Sequence, residues 1–65
     1  MAWTWRYEDA AGRPVDGPQE TFPNQADAES WIGQAWRDLA AAGIDAVTLR
    51  EDDRVEYTMS LASAG

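Results

Sequence analysis

The chain contains no cysteine, no histidine and no lysine. Without cysteine it has neither disulfide staples nor thiolate metal ligands. Without histidine it lacks the commonest transition-metal ligand and the side chain best suited to general base work near neutral pH. Long apolar runs are missing as well, and none approaches the roughly 18 residues that span a bilayer. The opening Met1-Ala2-Trp3-Thr4-Trp5-Arg6 has no basic segment leading into an apolar stretch. It therefore does not read as a secretory signal, and the expectation is a soluble, cytoplasmic protein.

Twelve acidic residues against five arginines leave a net charge of −7 on 65 residues. Such a surface repels nucleic acid and anionic membrane, both of which require a basic face. A chain this short forms one domain, here residues 1–65, because it cannot divide an apolar core between two. Its core capacity is itself marginal, and with no staple available the stability must come from aromatic packing or self-association.

Four alternating or periodic stretches are visible. Trp3, Trp5 and Tyr7 alternate with Thr4, Arg6 and Glu8, the period-2 pattern of a half-buried strand. Asp9 to Gly12 is a turn, after which Arg13 to Asp16 can return as a short edge strand. Gln19 to Phe22 is extended up to Pro23. Residues 24–42 predict an amphipathic helix. Asn24 stands at the N-cap and Gly43 at the C-terminal stop. Between them Ala28, Ile32, Ala35, Leu39 and Ala42 lie within about 40° of one line, with Trp31 and Trp36 on opposite shoulders.

Asp45 to Arg50 and Arg54 to Leu61 alternate again and predict a hairpin. A two-residue loop at Asp52-Asp53 would place Leu49 opposite Glu56, since directly opposed residues share a face. A three-residue loop, Glu51 to Asp53, places Leu49 opposite Val55 and Val47 opposite Tyr57 instead, with Asp53 left-handed. The odd-length loop is therefore expected, and residues 62–65 read as a frayed tail. Together these elements predict a two-layer α+β fold of order β-(β)-α-β-β. One amphipathic helix packs on a three- to four-stranded, mostly antiparallel sheet. The first strand can lie beside either member of the hairpin.

Catalytic constellations are absent from the pattern. Glu8, Asp9, Asp16 and the Glu51-Asp52-Asp53 run fall in turns or at strand ends, where water solvates them and no pair is forced to share a proton. The same run lacks the spaced oxygen ligands of a calcium loop. No serine sits in a nucleophile-elbow context, and the glycines are too scattered to cradle phosphate. A non-enzymatic protein without metal, cofactor or small-molecule ligand is expected.

Tryptophan is the unusual component, four in 65 residues. Trp5 and Tyr7 belong to the core on this reading. Trp3, Trp31 and Trp36 cannot all be covered by so small a sheet, and partly exposed tryptophan is typical of interface anchors. These three are the candidate partner-binding residues, for another protein or for a second copy in a homodimer. The alternative is an acidic nucleic-acid mimic that occupies the basic groove of a DNA- or RNA-binding protein.

Three stretches carry a family resemblance: Trp3 to Asp9, the helix entry Phe22-Pro23-Asn24-Gln25-Ala26-Asp27-Ala28-Glu29-Ser30-Trp31, and Gly43 to Leu49. They resemble a family of short, acidic, uncharacterised actinobacterial proteins whose members tend to end in Tyr-Gly-Pro-Met-Ser-Leu. Tyr57-Thr58-Met59-Ser60-Leu61 departs from that ending by lacking Gly-Pro, which implies a more regular last strand. The resemblance implies no activity.

Overall fold

In the computed structural model, which describes residues 2–61, the first alternating stretch forms β1 (Trp3–Glu8). Trp3, Trp5 and Tyr7 are all buried on one face. The remaining elements are β2 (Pro14–Val15), β3 (Thr21–Phe22), α1 (Gln25–Ala41), β4 (Ala46–Glu51) and β5 (Arg54–Ser60). The sheet is antiparallel throughout, in the order β2-β1-β4-β5, with β3 also paired to β1. Among the described residues it has five strands, more than the three to four expected. The chain from Arg13 does return as β2, with Tyr7 opposite Val15. Thr21 and Phe22, expected only to be extended, pair with Thr4 and Trp3. The two short strands thus share one edge of β1, and residues 16–20 arch away between them.

Helix α1 is fixed by local chemistry at both ends. The Asn24 side chain accepts a hydrogen bond from the Asp27 amide at 2.8 Å, meeting one of the helix's unpaired first-turn donors. At the other end Gly43 has φ +93°. Its amide donates to the Ala40 carbonyl and the Ile44 amide to the Leu39 carbonyl, each at 3.1 Å, the paired bonds of a Schellman cap. Ile44 and Leu39, which flank that cap, are both core residues. Ala28, Ile32 and Leu39 form the buried stripe. Ala28 is fully buried, and the Trp5 indole N–H donates to its carbonyl oxygen at 3.0 Å. A larger side chain at 28 would hold the helix off β1. Val47, Leu49 and Leu61 complete the core from β4 and the end of β5.

The hairpin corrects the sequence reading. The loop has two residues, Asp52 and Asp53, with Glu51 opposite Arg54 and Arg50 opposite Val55. A bulge between Leu49 and Arg50 then brings Tyr57, not Glu56, opposite Leu49, and Met59 opposite Val47. Glu56 is the extra residue. Tyr57 and Met59 keep the helix-facing side, while Val55 shares a face with Arg50 and is 56% exposed. The left-handed residue is Asp52 (φ +54°), not Asp53. Its position is fixed by Ala2: the Asp52 amide donates to the Ala2 carbonyl at 2.7 Å, and the Ala2 amide donates to Asp52 Oδ1 at 3.0 Å. The expected tail, residues 62–65, lies outside the described residues. Among the described residues no helix is long and apolar enough to cross a membrane.

Candidate docking surface

Each tryptophan singled out by sequence has a distinct place. Trp3 is 9% exposed, sits opposite both Phe22 and Glu51, and belongs to the core. The expectation that it stays partly uncovered fails because β3 closes over the free edge of β1 beside it. Trp31 is half-buried against Phe22, with ring centroids 5.6 Å apart. Trp36 is half-buried, and the Arg37 guanidinium lies 5.3 Å from its ring centroid, within cation–π range. The structure does not bring the three together on one surface: Trp31 and Trp36 flank opposite shoulders of α1, and Trp3 is buried within the sheet's aromatic face.

The surface that sequence reasoning missed lies along β5. Glu29 on α1 accepts a hydrogen bond from the Tyr57 hydroxyl at 2.8 Å, so this shoulder of the helix faces β5. Trp36 follows Glu29 by seven residues, hence about 20° away around the axis and about 10 Å along it. α1 starts next to the Trp3–Phe22 pair and ends next to Asp45, which accepts from the Leu61 amide at 2.8 Å. It therefore runs in the same sense as β5. Met59, two residues beyond Tyr57 on the same face, advances along the strand in the direction of Trp36. Trp36, Tyr57 and Met59, all half-buried, thus border one seam between helix and edge strand. The Trp5 and Tyr57 rings, 6.1 Å apart in an edge-on arrangement, anchor its floor.

Among the described residues β5 pairs only with β4. Main-chain groups along a strand point alternately to its two edges. The Leu61 amide bonds Asp45 on the β4 side, so Tyr57, Met59 and Leu61 address β4. The N–H and C=O of Thr58 and Ser60 point to the open edge. The signal for this surface lay in the chain order, since a hairpin that follows the last helix leaves its final strand at an edge unless an earlier strand covers it.

Electrostatics along this margin are acidic. Arg54 holds Glu51 at 2.9 Å and Glu56 at 2.8 Å. These carboxylates raise its pKa, the hydrogen bond to Glu51 first. Burial, reinforced by the bond to Glu29, pushes the Tyr57 hydroxyl up to about 12, so it stays a neutral donor at physiological pH.

Two other concavities are present. A cleft of about 350 Å³ opens beside β1 under the arch of residues 16–20, walled by Trp5, Tyr7, Gln19 and Glu20. The Tyr7 hydroxyl donates to the Pro18 carbonyl across it. Burial, then the Glu20 charge, pushes the Tyr7 hydroxyl up to about 12. A shallower hollow of about 330 Å³ lies on the sheet face away from the helix, among Arg6, Glu8, Thr48, Val55 and Thr58. There the Thr48 and Thr58 hydroxyls are 2.9 Å apart and Thr48 donates to Glu8 Oε1 at 3.4 Å. The Thr48, Thr58 and Glu8 side chains of this hollow thus bond one another. Among the described residues no three His, Cys, Asp or Glu side chains are grouped to hold a metal ion.

No protein-family model matches this chain, and comparisons with curated proteins and with solved structures gave no match either.

Proposed function

We propose that this chain is a non-enzymatic protein-interaction module whose docking surface is the β5 margin. The observation that carries this reading is an edge strand whose outward main-chain groups lie next to a seam of half-buried Trp36, Tyr57 and Met59. An open strand edge is a ready template for another chain, and aromatic side chains with methionine are the residues enriched at interface centres. Trp36 is the anchor of the reading. Trp31 is spent on Phe22 and Trp3 on the core. The nucleic-acid-mimic alternative draws on net charge alone and has no located surface to match.

The test compares the wild-type chain with Trp36→Ala by sedimentation and by quantitative capture from lysate. The module reading expects a defined partner, retained by the wild type and weakened by about 2 kcal/mol or more in the variant, as for interface anchors generally. A chain that sediments as a monomer and retains the same proteins with or without Trp36 refutes it.

A further inference from the structure

Resting on that reading, we propose that the partner is an extended, basic segment that adds to β5 as a further strand of the sheet. Three features of the margin converge on this chemistry. The first is the backbone. The N–H and C=O of Thr58 and Ser60 face outward, while Tyr57 and Met59 pair with β4 and the Leu61 amide donates to Asp45. A peptide in extended form satisfies such groups, as in strand-addition recognition generally. The second is the side-chain period. An added strand sends alternate side chains to the helix-facing side, where Tyr57, Met59 and Trp36 offer apolar contact. The segment therefore needs apolar residues at every second position.

The third is charge. Glu29 lies beside the strand on α1, Glu56 is within it, and Asp53 stands at its hairpin end. The one arginine of β5, Arg54, is already held by Glu51 and Glu56. Basic side chains at the intervening positions of the segment face away from α1 into solvent, where the net charge of −7 attracts them. A second copy of the chain is disfavoured as occupant, because it brings seven excess negative charges of its own to the same edge.

Short synthetic peptides provide the probe: one alternating lysine with valine, one alternating glutamate with valine, and one of lysine with serine. The valine–lysine peptide binds the full chain, and each of the other two binds at least about tenfold more weakly. N-methylation on one alternate set of its residues, the set whose amides face β5, weakens binding by a similar factor. Methylation of the other set leaves binding unchanged. In the protein, Thr58→Pro removes an outward N–H together with the hydroxyl that meets Thr48, keeps the main-chain ladder to β4, and weakens the same peptide. The peptide-side methylation reads the result independently of whether that variant folds.

Equal sensitivity to both methylation sets overturns strand addition, as does equally tight binding of the lysine–serine peptide. A dimer that Thr58→Pro dissociates assigns the edge to a second copy and overturns the basic partner. If a captured partner is lost by Trp36→Ala yet retained by Thr58→Pro, strand addition falls while the interaction-module reading stands.

Discussion

Two glycines of this chain respond to the same substitution in opposite directions. A Cβ at Gly17 would lie 2.5 Å from Tyr7 Cδ2, and that ring is buried and tethered through its hydroxyl to Pro18. Gly17→Ala therefore forces the ring to shift and costs about 1–3 kcal/mol. A Cβ at Gly33, inside α1, meets nothing within 4 Å, so Gly33→Ala removes only the entropic cost of a helical glycine and gains about 0.5–1 kcal/mol. Urea denaturation of both variants reads the two signs directly. The tyrosines supply a pH dependence at the same scale. Tyr7 and Tyr57 are each raised from 10.0 to about 12 by burial first, with added contributions from Glu20 for Tyr7 and Glu29 for Tyr57. In the unfolded chain both ionise near pH 10, before they do so in the fold. Their contribution to stability is thus complete below pH 10 and is lost as pH rises towards 12. Thermal unfolding from pH 9 to 12 follows this decline. The Tyr7→Phe/Tyr57→Phe double variant flattens it.

At the scale of elements, legibility tracks how local the determining signal is. α1 is readable because its cap at Asn24, its stripe of Ala28, Ile32 and Leu39, and its stop at Gly43 all lie within the segment. β1 is readable from three aromatic residues in alternation. The pairing of Thr21 and Phe22 is not, since two residues carry no period and their strand exists only because Trp3 stands across from Phe22. The hairpin is the instructive failure. Parity correctly rejects Glu56 opposite Leu49, but the chain meets that condition with a bulge rather than a longer loop, and strict alternation cannot express an inserted residue. The open β5 margin escaped for a different reason, because it depends on which strand β1 takes as neighbour. Deleting Glu56 tests the bulge. Val55 remains opposite Arg50 and Tyr57 opposite Leu49, so the variant folds within about 1–2 kcal/mol of the parent, a regular hairpin replacing the bulged one. Deleting Thr58 instead turns Met59 and Leu61 to the outer face and costs more than about 3 kcal/mol. Cross-strand nuclear Overhauser contacts between Tyr57 and Leu49 separate the two outcomes.

For the whole molecule the governing quantity is charge. Of the five arginines, Arg54 is the one in an ion pair among the described residues, and its partners Glu51 and Glu56 lie at one end of the sheet. The other acidic residues repel one another across a molecule whose longest dimension is 29 Å. Many of these separations are comparable to or beyond the screening length of about 8–10 Å at moderate salt, but well within the roughly 30 Å reached near 0.01 M. Compaction raises that repulsion, so the fold is less stable at low ionic strength. Adding sodium chloride from about 0.01 M to 0.15 M raises the midpoint of thermal unfolding by several degrees, each 1 kcal/mol being worth about 4–8 °C in a domain of this size. A fall in the midpoint would mean that the Arg54 pairs outweigh the repulsion, contrary to the small contribution of exposed ion pairs. The same salt acts on docking with the opposite sign, because it screens the attraction between the acidic β5 margin and a basic segment. Melting and peptide affinity measured across one salt series therefore move apart, the fold gaining while the complex weakens. A complex that held its affinity across that series would owe its binding to the seam of Trp36, Tyr57 and Met59 and the main chain of β5, with the surface charge left only its cost to the fold.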